Sequence, residues 1–167
     1  MNASWVNDVL REELGLLKNR ISENMAAAGQ VATGKTQQSM EVSVTESEGV
    51  VEGVLLGRKY FGALETGSAP WKTQYFRRTQ SGKKIPSAPG AFVEVIRSWI
   101  AAKGLSLNPY LVATKIMAEG SKLYRDGGRS DIFTNAINDT VEAVLQRIVA
   151  AGLDEAMVAV DKPLARE

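Results

Sequence analysis

Residues 29–71 set the tightest limit on the fold. Glu41-Val-Ser-Val-Thr-Glu-Ser-Glu48 alternates polar and apolar side chains, and Val50-Val-Glu-Gly-Val-Leu-Leu56 is apolar and β-branched, with Gly49 between the two runs. Alternation is the period of a strand, so the pattern predicts a hairpin that turns at Gly49 and ends at Gly57. Ahead of it, Thr33 is placed to cap one short helical turn reaching Met40. Behind it, Tyr60 to Glu65 is too short to assign, and Thr66-Gly67-Ser68-Ala69-Pro70 is a turn cluster.

Helices flank this stretch. Val6, Leu10, Leu14, Leu17, Ile21 and Met25 recur every three or four residues, which predicts an amphipathic helix over 4–28, with Ser4 as N-cap and its end before Gly29. Gly15 inside it costs about 1 kcal/mol relative to alanine, which points to close packing there. A second helix over 91–103 places Phe92, Val95, Ile96, Trp99 and Ile100 on one face and stops at Gly104. Asn108-Pro109 is an N-cap followed by an N1 proline, opening a helix that buries Leu111, Val112, Ile116 and Met117 and ends near Gly120. After a loop at Asp126-Gly-Gly-Arg129, Asp131 is positioned to cap a last helix carrying Phe133, Ile137, Val141, Val144, Leu145 and Ile148, which Gly152 should close. Glu155–Val160 reads as a short strand, and Asp161–Glu167 as a tail. The expected fold is α+β. One domain over 1–167 holds a small antiparallel sheet, the hairpin plus the C-terminal strand, packed by long amphipathic helices.

Composition removes whole classes of chemistry. The 167 residues contain neither cysteine nor histidine. Disulfides and thiolate zinc sites are therefore excluded, as is any triad built on a histidine base. Carboxylates remain able to bind Mg²⁺ or Ca²⁺. The formal net charge of +1 argues against a surface that is a nucleic-acid or membrane footprint throughout, while leaving room for a local patch. Residues 1–25 carry Asp8, Arg11, Glu12, Glu13, Lys18, Arg20 and Glu23, too many charges for a signal peptide or a membrane span.

Gly29-Gln-Val-Ala-Thr-Gly34-Lys35-Thr36 matches the phosphate-binding loop pattern G-x-x-x-x-G-K-[ST]. Such a loop needs a buried strand entering it and a helix leaving it, so that backbone amides converge on the phosphates. Here a helical pattern enters, one turn at most leaves, and alternating βα units are absent. The match is a glycine-rich helix exit with a surface lysine.

A different grouping of the same residues has a family likeness. Thr33-Gly34-Lys35-Thr36-Gln37-Gln38-Ser39, then the hairpin, then Tyr60-Phe61-Gly62-Ala63-Leu64-Glu65-Thr66-Gly67 resembles the tail-completion, or neck and minor-tail, proteins of long-tailed bacteriophages. Trp99-Ile100, Lys103-Gly104, Glu119-Gly120-Ser121 and Gly127-Gly128-Arg129 extend the likeness over most of the chain. The family often has leucine or arginine where Lys35-Thr36 stands, and the basic stretch after Trp71 is long for it. The resemblance implies a non-enzymatic virion protein without cofactor or metal, forming a ring at the head-tail junction beside connector and tail proteins. It implies residence in the host cytoplasm before assembly. Physically, Gly34 and Gly67 permit turns that a β-carbon resists. Thr33 and Ser39 can bond local backbone, Tyr60 and Leu64 can pack over the hairpin, and Glu65 is left to bond amides or a neighbouring subunit.

Residues 68–90 form the other candidate region. Lys72, Arg77, Arg78, Lys83 and Lys84 stand there with Trp71, Tyr75 and Phe76 among them, and no acid lies between Glu65 and Glu94. Gly82, Pro86, Pro89 and Gly90 oppose regular structure, so a long loop or an extended excursion is expected. Cations interleaved with aromatics suit a protein interface or a nucleic-acid strand, and they also occur on a solvated loop. The acids Glu41, Glu46, Glu48 and Glu52 fall along the hairpin, where they read as a solvated face that discourages edge pairing rather than as acid-base pairs.

Overall fold

The computed structural model describes residues 4–72 and 75–160, and its fold is α+β. Helix α1 (Ser4–Ala27) leads through a turn to the one-turn helix α2 (Lys35–Gln38), then to strands β1 (Glu41–Ser47) and β2 (Val50–Leu56). A short helix α3 (Ala63–Thr66) precedes a second hairpin, β3 (Phe76–Arg78) and β4 (Lys84–Pro86). Helices α4 (Gly90–Ala102), α5 (Pro109–Glu119), α6 (Lys122–Arg125) and α7 (Thr134–Val160) follow.

The predicted hairpin is present in antiparallel register, from Glu41 opposite Leu56 to Ser47 opposite Val50. Its two-residue turn holds Glu48 and Gly49 both at positive φ, as a type I′ turn requires. Both strands lie on α1. The close approach falls at Gly53, where a β-carbon would come within 2.8 Å of Leu14 Cδ1; Gly15, which sequence reasoning marked for tight packing, has open space around it. The acids of the hairpin are exposed, and Glu46 accepts a hydrogen bond from Asn7 at 2.8 Å.

The C-terminal strand is not formed. Glu155–Val160 continues α7, which also passes through Gly152 without ending. The five-residue apolar run Ala156–Val160 fits strand and helix alike, and a helix already under way gains one hydrogen bond for each residue it adds. Among the described residues the sheet of the hairpin therefore has two strands. The tail expected over Asp161–Glu167 lies outside the described residues.

Helices α1 and α7 run antiparallel. Asn24 Nδ2 donates to the Ile132 carbonyl at 2.9 Å, Arg20 pairs with Asp139 at 2.7 Å, and Arg147 reaches Glu12 and Glu13 at 2.7 Å each. Glu13 is buried, so the Arg147 guanidinium supplies the counter-charge its burial demands. Leu17, Ile21, Met25, Met40, Ile132 and Ala136 form the core between these elements, with Phe61 and Leu64 against it. A second core joins α4 to α5 through Ala88, Val93, Ile96, Ile100 and Ala113. There α4 is rotated from expectation, burying Val93 while Val95 and Trp99 are exposed; in α5, Ala113 and Met117 are buried and Leu111 is exposed. Lys103 ties the two bodies, its ammonium donating to the carbonyls of Gly29 at 2.5 Å and Val31 at 2.6 Å.

Candidate functional site

Three places compete as functional sites: the Gly29–Thr36 turn, the Glu65–Gly67 turn and the basic stretch after Trp71. At the first, α1 enters and the four-residue α2 leaves. The carbonyls of Gly29 and Val31 face the Lys103 ammonium, a polarity opposite to that of a phosphate cradle. Gly34 takes φ 71° ahead of α2 with no side-chain cap, so Thr33 does not cap it; Ser39 Oγ instead donates back to the Thr36 carbonyl at 2.7 Å. The turn lines a cleft of about 180 Å³ with Trp99 on its far wall, and Lys35 is exposed.

At the second, Glu65 is a buried carboxylate, 4% exposed. Its Oε1 accepts the amides of Ile132 at 2.9 Å, Phe133 at 2.7 Å and Thr134 at 2.9 Å, while Oε2 accepts the Thr134 hydroxyl. These are the orphan donors at the start of α7, so Glu65 is the cap of a helix that begins nearly seventy residues later. The expected cap, Asp131, is instead bidentate with Arg129, whose guanidinium holds the Asp131 carboxyl below its ordinary value. Burial pushes the Glu65 carboxyl up, but the Thr134 hydroxyl and the three amides outweigh it and hold the group below its ordinary value.

Backbone bonds complete the knot. The Arg129 amide donates to the Glu65 carbonyl at 2.8 Å, and Ser121 and Ser68 exchange two bonds, Ser121 N–H to the Ser68 carbonyl at 2.8 Å and Ser68 N–H to Ser121 Oγ at 3.0 Å. Gly67 has φ 69° and ψ −175°, a region open in practice only to glycine, and a β-carbon there would stand 2.4 Å from the Tyr124 nitrogen. Gly128 is equally constrained, since its β-carbon would meet the Glu65 carbonyl at 2.8 Å. The predicted motif thus gathers the α5–α6 junction, the 127–129 loop and the start of α7. Tyr60 is not part of it: the side chain is 71% exposed, and Phe61 takes the packing role expected of it, 5.3 Å from the Phe133 ring.

The third place, expected as a long loop or an extended excursion, contains a short β-ribbon. Phe76 pairs with Pro86, Arg77 with Ile85 and Arg78 with Lys84. Alternation puts Arg77 and Ile85 on the inner face, where Arg77 lies 5.4 Å over the Tyr110 ring and the Tyr110 hydroxyl donates to the Pro86 carbonyl at 3.3 Å. Phe76, Arg78 and Lys84 share the outer face, with Lys83 at the tip. Trp71 belongs to the base of the ribbon, 5.1 Å from Phe92 and 6.1 Å from Tyr75 in an edge contact, its amide bonded to the Met117 carbonyl at 3.0 Å. Lys72 is exposed beside it.

Sequence reasoning missed two apolar surfaces. Along α7, Ile137, Val141, Leu145, Val149 and Leu153 follow one another at intervals of four, each between 39% and 61% exposed. This ridge starts at a pocket of about 300 Å³ lined by Leu17, Leu55, Leu56, Phe61 and Phe133. On the α4–α5 body, Val95, Trp99, Val112 and Ile116 line a groove of about 500 Å³ rimmed by Lys115, Lys122 and Arg125. The helical spacing of Ile137, Val141 and Leu145 is visible in the sequence, but their exposure is not. Among the described residues no three carboxylates gather as a metal site, and no helix is long and apolar enough to cross a membrane. Comparison with protein-family models, curated proteins and solved structures returned no match for this chain.

Proposed function

We propose that the chain is a non-enzymatic assembly subunit of a long-tailed phage particle, placed in a ring at the head-tail junction, where it completes the tail or joins it to the connector. The observation that carries this reading is the α7 ridge. Five large aliphatic side chains in succession on one helix are exposed to water, and contiguous exposed apolar surface marks an interaction site. Neighbouring copies of the chain would cover the ridge, and the α4–α5 groove offers a concave apolar surface on the same molecule. A ridge and a groove on different elements favour head-to-tail contacts, which close into rings when the rotation per subunit allows.

The order of the Thr33-Gly34…Ser39 segment, the hairpin and the Glu65-Thr66-Gly67 turn supports the same reading, because it is the order of the tail-completion family. The carboxylate of that motif is occupied in capping α7, which suits a framework role better than a catalytic one. Electron microscopy of particles assembled with and without the protein tests the proposal. Expected is density for a ring at the neck, and unjoined heads and tails in its absence. Complete, infectious particles lacking the protein would overturn it.

A further inference from the structure

We infer that the β3–β4 ribbon binds a nucleic-acid strand, its outer cations on successive phosphates and Phe76 stacked on a base. The inference does not depend on the virion reading, since it rests on charge and geometry alone.

Three observations carry it. The first is a like-charge pair held in place. Arg78 and Lys84 are direct cross-strand partners, and Lys83 follows at the tip. Like charges opposite each other weaken a two-stranded ribbon, and a two-stranded ribbon has little stability to lose. A polyanion on that face removes the repulsion. The second is the lack of internal counter-charge. Elsewhere Arg20, Arg97, Lys115, Lys122, Arg125, Arg129 and Arg147 each pair with a carboxylate, while Arg11, Lys18, Lys35, Arg58, Lys59 and Lys103 form no ion pair among the described residues. Among the described residues no ion pair involves Lys72, Arg77, Arg78, Lys83 or Lys84, and no acid lies between Glu65 and Glu94.

The third is that the face is built in advance. The Thr79 amide donates to the Lys83 carbonyl at 2.9 Å and the Gly82 amide to the Thr79 carbonyl at 2.9 Å, while Thr79 Oγ1 accepts the Lys83 amide at 3.1 Å. At the other end Ser87 N–H bonds the Tyr75 carbonyl at 2.8 Å, and Arg77 stacks on Tyr110. Binding therefore orders little new chain. Phe76, 53% exposed, stands in the same row as Arg78 and Lys84. An aromatic face next to a pair of cations is an arrangement that stacks a base while the cations hold the adjoining phosphates. An acidic protein surface would satisfy the cations but gives the ring no comparable partner.

The test is fluorescence anisotropy of the full chain with a labelled mixed-sequence oligonucleotide of about 20 nucleotides, single-stranded and as duplex, from about 50 to 200 mM salt. Expected is binding that weakens steeply with salt. Arg78→Gln/Lys83→Gln/Lys84→Gln should weaken it by at least about tenfold at the lowest salt and reduce the log-log salt slope by roughly two on single strands and three on duplex. Phe76→Ala should weaken single-strand binding by roughly 5- to 100-fold and duplex binding much less. Circular dichroism of each variant establishes that it is folded. No salt-dependent binding by the unmutated chain, binding indifferent to the triple substitution, or tighter binding to polyglutamate than to either oligonucleotide would each overturn the inference.

Discussion

The Glu65 turn and the β3–β4 ribbon are close in sequence and treat charge in opposite ways. Glu65 is buried, accepts three amides and a hydroxyl, and has no valence left for a ligand. The ribbon displays its cations on an exposed face, unpaired among the described residues and with two of them forced side by side. What the contrast teaches is that a conspicuous polar motif and a functional polar surface are different things. A carboxylate that satisfies a helix end supports the fold, whereas cations that repel one another are kept for something outside it.

Substitutions can break this contrast, and the largest effect is expected at Gly67. Gly67→Ala introduces a β-carbon 2.4 Å from the Tyr124 nitrogen in a backbone region that alanine avoids, so about 3 kcal/mol or more of stability should be lost. Thermal unfolding checks it; a melting temperature within a degree or two of the unmutated protein would mean that the knot is loose. Glu65→Gln comes next. It keeps one acceptor but removes the charge at the α7 start, and urea unfolding at neutral pH should report a loss of about 2 kcal/mol. The smallest effect is expected in the ribbon. Arg78→Gln/Lys83→Gln/Lys84→Gln should change stability by no more than about 0.5 kcal/mol, and the sign should be stabilising because a repulsion is removed. A loss of several kcal/mol there would make the ribbon a second framework element and erase the contrast.

Much of this was legible in the chain, and the parts that were not share a cause. The β1–β2 hairpin, the Asn108-Pro109 start of α5 and the extent of α1 follow from local patterns, and the structure contains them. Glu65 was marked as a residue free to bond amides, but which amides depended on a contact 67 residues away, and the nearer Asp131 looked like the better cap. The C-terminal strand failed because Glu155–Val160 has an apolar pattern that two periods fit equally, and the continuing helix decided between them. The exposure of the α7 ridge could not be read at all. Helical spacing identifies an apolar stripe without saying whether anything in the same chain covers it. The ribbon was hidden by its glycine and prolines, since a three-residue strand is too short to show alternation.

The account turns on Glu65 acting as a charged cap, and the pH dependence of stability tests that most directly. A carboxyl held below its ordinary value in the folded chain contributes stability above its unfolded value. That contribution is lost as pH falls through the lowered folded value. Equilibrium unfolding of the unmutated protein and of Glu65→Gln across acid to neutral pH should therefore show two curves, about 2 kcal/mol apart at neutral pH, that converge in acid as Glu65 itself becomes neutral. Curves that coincide at neutral pH, or stay the same distance apart throughout, would contradict it.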